Sequence, residues 1–380
     1  MKLIHLANCN STNIGNGALM SGLEAVLSED LPGRLEWIRE PWDDYTFGLK
    51  EFDSDFIKLV NQSDGLIVGG AVTFNGRDYN HQTGSRFELP FGLWSSIRKP
   101  VVFYGLSYRN WEGQEYHHRD RLIQLIEKIL ETPNMLLSVR NDGTREWLQR
   151  TTGIEEDFLE VPDSAVFVET DQQTNPRELE PNSKNIILSF NDEDASFRFS
   201  RRNSGIPDAR DHVINQYVQA VERIADEFKV NFILVPHYFD DYQMISDFMK
   251  RLRPRIGHQM TVSTGLSRAK DTGAFYERYR RVDLAVSMRV HSMSPCIGLG
   301  TPMVALITQE RMRDFMERVD LENVCVDAFD KDSGELLYER MSQSLNAPRS
   351  VTDQFGAVRD ILRTQTRTFH RQIENLIGNQ

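Results

Sequence analysis

From end to end, short runs rich in β-branched and aromatic residues alternate with longer stretches whose apolar residues recur at helical spacing. That alternation commits a chain to stacked βα units and parallel sheets, because a strand can join a parallel neighbour only through a crossover, usually a helix. In the first half the expected strands are Lys2–Ala7, Leu35–Ile38, Gly65–Val68, Val101–Tyr104, Met135–Val139 and Leu159–Val161, with helices around Ala18–Leu27, Arg121–Glu131 and Gly143–Leu148. Glu169–Lys184 is polar, holds two prolines and has no period, so it reads as a linker. Alternation then restarts with strands at Asn185–Phe190, Phe232–Val235, Gln259–Val262, Leu284–Ser287, Met303–Ile307 and Val324–Val326. Helices are expected at Ala209–Phe228, Asp241–Leu252, Thr272–Arg280, Ser294–Leu299 and Gln354–Gly378.

The 380 residues exceed the roughly 250–300 that a single core supports, so two domains are expected. We place them at 1–172 and 183–348, both doubly wound α/β and facing a cleft, with a C-terminal helix over 350–380 packing back on them. In open α/β sheets ligands bind outside the carboxyl ends of the strands, and the search for function belongs there.

Forty-four Lys and Arg against 56 Asp and Glu give a net charge of −12, which argues against nucleic acid held by general electrostatics. Cys9, Cys296 and Cys325 lie far apart with no C-x-x-C pair, so neither a disulfide framework nor a structural zinc is indicated and a reducing compartment fits. The first residues turn polar at Asn8, too soon for a signal peptide, and no run approaches the ~18 apolar residues of a membrane span. The expectation is a cytoplasmic protein. The last helix carries Arg359, Arg363, Arg367 and Arg371, a stripe open to two readings: a solvated or salt-bridged face, or peripheral contact with anionic lipid headgroups.

Several chemistries lack their motifs. There is no Gly-Lys dipeptide for a phosphate loop and no H-E-x-x-H, and Gly105-Leu106-Ser107-Tyr108-Arg109 lacks the final glycine of a nucleophile elbow. Gly15-Asn16-Gly17 is followed by Met20 where a dinucleotide fingerprint wants a small residue. Asp192-Glu193-Asp194 reads as a solvated loop, or as an acidic pair holding a cation with a nucleotide sugar.

Candidate residues cluster after strands. Asn8–Ala18, with Asn13, Gly15, Asn16 and Gly17, serves either as turn and helix cap or as a backbone cradle for an anion or sugar hydroxyl. Gly69-Gly70 ends a buried strand and is either a turn or a place of close ligand approach. Arg140, just past another strand, suits a carboxylate or phosphate, or else pairs with Asp142 or Asp163. Asp283–Pro295 carries the strongest signal: Arg289 and His291 follow a strand two residues apart, on one side if the backbone stays extended, and Ser292 or Ser294 then caps a helix whose early proline suits its first turn. A cation, a titratable imidazole and a helix N-terminus then converge, as a phosphorylated or doubly acidic small molecule requires. His237 and Ser107 are candidates for lining the cleft, and Arg311 and Arg313 follow the next strand. Phe74, Tyr79, Trp94, Tyr108 and Trp111 are candidate sugar-stacking platforms or simply packing.

In this order the motifs resemble those of the polysaccharide pyruvyl transferase family. They are N-x-G-N-G-A at Asn13–Ala18, D-x-x-I-V-G-G at Asp64–Gly70, K-P-V-V-F-Y-G at Lys99–Gly105, S-V-R-N-D at Ser138–Asp142, V-P-D at Val161–Asp163, R-x-H at Arg289–His291 and G-x-P at Gly300–Pro302. The resemblance implies a glycosyltransferase-B-like pair of Rossmann-like domains. It further implies that phosphoenolpyruvate is the co-substrate, that a saccharide, free or lipid-linked, is the acceptor, and that a pyruvate ketal forms in surface polysaccharide synthesis. No further cofactor and no metal are expected. Arg140, Arg289 and His291 match the donor-binding positions, with Ser292, Asn13, Gly15, Asn16, Gly69, Gly70 and Arg311 expected around them. Asn16 stands where the family usually has an acid, Ala71 replaces a third glycine, and Arg311 stands where a lysine is common. The competing expectations are a nucleotide-sugar glycosyltransferase of the same shape and a non-catalytic saccharide-binding relative.

Overall fold

The computed structural model describes residues 1–111, 113–263 and 271–378. Contacts divide the chain into two units: Met1–Ser11, Leu19–Phe167 and Ile361–Gln380 in the first, Thr12–Ala18 and Val168–Asp360 in the second. Helix Ile14–Asp30 therefore has its first turn counted with the second unit, and helix Pro348–Gly378 has its later turns counted with the first.

The first unit holds β1 (Lys2–Ala7), β2 (Glu36–Pro41), β3 (Gly65–Gly69), β4 (Val72–Phe74), β5 (Val101–Tyr108), β6 (Met135–Arg140) and β7 (Leu159–Val161). They form one sheet in the order β2-β1-β3-β5-β6-β7, with β4 alongside β5 and every pair parallel. Alternate residues feed two cores. Ile4, Leu6, Leu66, Val68 and Phe103 pack on one face, while Leu3, Ile67, Val102 and Tyr104 meet Phe369, Ile373 and Ile377 of the last helix on the other. These strands are apolar on both faces, the mark of a covered parallel sheet.

The second unit holds β8 (Lys184–Ser189), β9 (Val230–Val235), β10 (Met260–Val262), β11 (Leu284–Ser287), β12 (Met303–Ile307) and β13 (Cys325–Asp327). Their order is β10-β9-β8-β11-β12-β13, again all parallel. Numbered from its own first strand this is 3-2-1-4-5-6, the Rossmann order, while the main run of the first sheet reads 2-1-3-4-5-6. Each sheet reverses direction beside its own first strand, and each reversal opens a crevice at the carboxyl ends.

The expected elements are present with shifted ends. Among those not anticipated are β4, helix Glu310–Arg318 and the short helices Trp42–Thr46, Ala195–Arg198 and Ser54–Asn61, the last capped by Asp53, whose carboxylate accepts the Asp55 and Phe56 N–H groups. The last helix begins at Pro348, not Gln354, with proline in a first-turn position that needs no N–H. Three of the four arginines of its stripe have protein partners: Arg363 pairs with Asp30 and Glu29, Arg367 lies 3.5 Å from Asp30, and Arg359 donates to the Gly298 carbonyl. No helix among the described residues is long and apolar enough to cross a membrane.

Candidate active site

The crevice of the second sheet lies at the carboxyl ends of the neighbouring strands β8 and β11, where the strand order reverses, and the segments leaving those strands carry its chemistry. Arg289 keeps extended dihedrals (φ −142°, ψ 143°) as the N-cap of helix Val290–Leu299. The helix starts four residues before the expected Ser294, so His291 sits in its first turn and the extended Arg289-x-His291 pair expected from the sequence is not formed. The Arg289 side chain makes no capping bond to this helix. Ser292, expected among the donor ligands, is buried and donates to the Arg289 carbonyl at 3.0 Å.

Pro295 lies inside the helix rather than in its first turn, so it lacks the N–H that would bond the His291 carbonyl four residues back. Tyr276 fills the gap: its hydroxyl donates to that carbonyl at 2.5 Å. The backbone of His291 is thus tied to helix Thr272–Arg281.

Arg289 is 7% exposed and each of its nitrogens has a partner. Nε donates to the Phe190 carbonyl at 3.2 Å, Nη1 to Glu193 Oε2 at 3.0 Å and Nη2 to Asp241 Oδ1 at 2.5 Å. Burial opposes its charge, and Asp241 and Glu193 outweigh that and hold it a cation, its pKa above the ordinary value. Asp241 Oδ2 also accepts the N–H groups of His237 and Tyr238 at 2.9 and 3.0 Å. The His237 carbonyl in turn accepts the Ile14 N–H at 3.2 Å. One carboxylate therefore links the arginine to the turn that holds the Asn13–Ala18 loop.

That loop packs on His291. A Cβ at Gly15 would stand 2.4 Å from His291 Nδ1 and 2.7 Å from its Cβ, so only glycine admits the imidazole. Asn13 accepts the Gly15 N–H through Oδ1 at 3.1 Å and the Asn16 N–H through its carbonyl, which is the capping role. His237 is fully buried, with Nε2 2.7 Å from Tyr279 Oη and Nδ1 without a hydrogen-bond partner. Burial, then Arg289, His291 and Arg278, push its pKa well below the ordinary value, so it stays neutral.

Two charged residues of this site, Asp241 and Arg198, escaped the sequence reading, and a third, Glu193, has a role it did not foresee. Asp241 was read only as a helix start, although a buried acid there is available to an arginine. The Asp192-Glu193-Asp194 run is not a solvated loop throughout: Asp192 makes a bidentate pair with Arg210 at 2.7 and 2.8 Å, and Glu193 holds Arg289. Arg198 donates to Thr308 Oγ1 at 3.0 Å and had no motif to mark it. Arg311 is half-buried at the second position of helix Glu310–Arg318, while Arg313 pairs with Asp327.

In the first unit, Arg140 is 1% exposed and closed on protein partners: Asp163 at 3.1 Å, Asp142 at 3.8 Å and the Gly70 carbonyl at 2.9 Å. Ser107 donates to Asp142 at 2.6 Å and is buried. Gly69 admits His5, whose Nε2 would lie 2.6 Å from a Cβ there, and the other nitrogen of His5 is 3.0 Å from Glu24. Of the five candidate platforms, Phe74, Trp94, Tyr108 and Trp111 are buried packing. Tyr79 is 59% exposed and lines a cavity of about 480 Å³ with Tyr45, Gln82, Arg86 and Glu88. Among the described residues no group of three or more His, Cys, Asp or Glu side chains comes together to hold a metal ion.

Two parallel Rossmann-like sheets, the second with a cation and an imidazole at its switch point, define an α/β protein of the glycosyltransferase-B fold. Solved structures agree on that fold. An Escherichia coli ADP-heptose LPS heptosyltransferase II matches with a TM-score of 0.52 and 12% identity over 92% of this chain and 100% of its own. The trehalose-6-phosphate synthase OtsA matches at 0.52 and 11% over 99% of each chain, and the Staphylococcus aureus MnaA–UDP structure at 0.50 and 11% over 93% and 90%. None of the curated protein sequences compared with it matches. The chain belongs to the polysaccharide pyruvyl transferase family, whose model matches residues 13–310.

Proposed function

We propose that the protein moves the pyruvyl group of phosphoenolpyruvate onto two hydroxyls of a saccharide, releasing phosphate and leaving a pyruvate ketal, with no further cofactor and no metal. The observation that carries this reading is that the buried Arg289 cation and the Gly15-packed His291 stand two residues apart at the start of the helix that leaves β11, at the switch point of the second sheet. Phosphoenolpyruvate presents a carboxylate and a phosphate, and guanidinium groups and a helix N-terminus are the protein's means of holding both. We place the reaction in the cytoplasm, on a saccharide destined for a surface polysaccharide.

In the proposed sequence, the enol methylene takes a proton and the first hydroxyl oxygen bonds to the resulting electron-poor carbon. Phosphate then leaves with the C–O electron pair, and the second hydroxyl oxygen bonds to the same carbon. Two hydroxyl protons are lost, and these replace the one given to the methylene and the one carried off by phosphate. In this reading His291 moves one of these protons.

The test follows phosphate release and the ketal methyl signal by proton NMR with phosphoenolpyruvate and a panel of saccharides. His291→Gln should lower kcat by about 10²–10⁴-fold, the range for loss of a general acid or base. Consumption of a nucleotide sugar while phosphoenolpyruvate is untouched would overturn the reading in favour of glycosyl transfer.

A further inference from the structure

Three arginines converge at the carboxyl ends of the second sheet. Arg198 closes the short helix Ala195–Arg198 that follows β8, and it is 3% exposed. Its Nε donates to the Glu193 carbonyl at 3.2 Å, and its Nη1 reaches Thr308, the residue after β12. Arg289, leaving β11, grips the same Glu193 by its carboxylate. Arg311 follows Thr308 by three residues at the start of the next helix. Burial first, then Arg289, pull the Arg198 pKa down to about 9, with Arg311 adding to the pull and Glu193 and Asp194 opposing it.

Crowding a buried guanidinium against two others is unfavourable, since like charges repel strongly where water is scarce. A tie between the Glu193 carbonyl and the Thr308 hydroxyl does not require charge, because a neutral amide donates the same kind of bond. What a third cation adds is attraction for an anion of more than one charge. Strands β8, β11 and β12 are neighbours in the sheet, so the three side chains come from adjacent strand ends around one crevice.

We propose that Arg198 is a third guanidinium of the donor site and holds the phosphate end of the bound donor together with Arg289 and Arg311. This rests on the phosphoenolpyruvate reading and adds to it a residue that no motif marks. Phosphate offers several oxygens to a planar fork, whereas the carboxylate is satisfied by one bidentate partner. Arg198 should therefore discriminate phosphorylated from unphosphorylated ligands.

The experiment measures thermal stabilisation of the full chain by phosphoenolpyruvate, orthophosphate and pyruvate, for the wild type, Arg198→Gln and Arg198→Lys. The wild type should respond to phosphoenolpyruvate and orthophosphate. Arg198→Gln should melt near the wild type without ligand and bind both about tenfold or more weakly, with any response to pyruvate unchanged. If Arg198→Gln binds both as tightly as the wild type, Arg198 is a loop tie and the inference falls while the donor reading stands. If the wild type responds to neither phosphorylated ligand, both fall together. Should Arg198→Gln fail to fold, Arg198→Lys decides: weaker orthophosphate binding supports the inference, because the point charge lacks the fork, and unchanged binding overturns it.

Discussion

Removing the charge of Arg140 would strand two acids. Asp142 and Asp163 are fully buried beside it, and the Gly70 carbonyl depends on its Nη2. Breaking a buried ion pair from one side typically costs about 3–5 kcal/mol, because the remaining charge is left without its counter-charge where water cannot reach it. Arg140→Gln should therefore destabilise the first unit by about that much. All five tryptophans lie in that unit, so urea unfolding followed by their fluorescence reads the effect directly, and a loss below ~1 kcal/mol would contradict the account. Sequence alone named Arg140, Asp142 and Asp163 but left their pairing open, since pairing and ligand binding draw on the same guanidinium. Asp241 and Arg198 were illegible for a different reason: what marks them is burial against residues 48 and 110 positions away, which no local pattern encodes.

Helix Val290–Leu299 shows where an element departs from its local signals. Ser292, Ser294 and Pro295 resemble a cap followed by a first-turn proline, yet the helix starts at Val290 and runs through the proline. The neighbouring helix makes this tolerable by supplying the Tyr276 hydroxyl to the carbonyl that Pro295 leaves unbonded. Tyr276→Phe should cost about 1–2 kcal/mol and lower kcat by loosening His291. Pro295→Ala restores an N–H that can reach the same carbonyl, so the double variant should recover part of that stability. Calorimetry on the four proteins of the cycle checks this; strictly additive effects would show that the two groups do not share the carbonyl. Most parallel strands, by contrast, were legible with ends shifted by a residue or two, because a run of consecutive apolar positions between turn residues has few alternatives in a chain of this pattern; β5 runs four residues beyond its expected end. Strand β4 was not: it follows β3 after only two residues and pairs off the main run of the sheet, with the end of β5.

On the scale of the molecule, the first unit is built from both ends of the chain. Its joint is the set Tyr104, His370, Asp30 and Arg363: His370 Nδ1 lies 2.6 Å from Asp30, and Nε2 lies 2.9 Å from the Tyr104 hydroxyl. A neutral ring serves both, donating to Asp30 and accepting from Tyr104. Burial, outweighing Asp30, lowers the His370 pKa from 6.5 to about 4. Between those values the unfolded chain takes up a proton that the native one refuses. The neutral ring's contribution is thus complete above 6.5 and is lost as pH falls toward 4, by about 3 kcal/mol in all. Tryptophan-detected unfolding of the wild type and His370→Gln should show a stability gap that narrows across this interval, and a gap constant from pH 7 to 4.5 would refute the assignment.

The same interleaving bears on how such a chain can be rebuilt. A cut near residue 168 looks like the natural place to separate two modules, but the leading fragment would lack the helix turns carrying Phe369 and His370, and the trailing one would lack the glycine on which His291 rests. Grafting the second sheet onto a foreign partner therefore means carrying Thr12–Ala18 with it, so recombination between relatives should succeed only where crossover points travel in pairs.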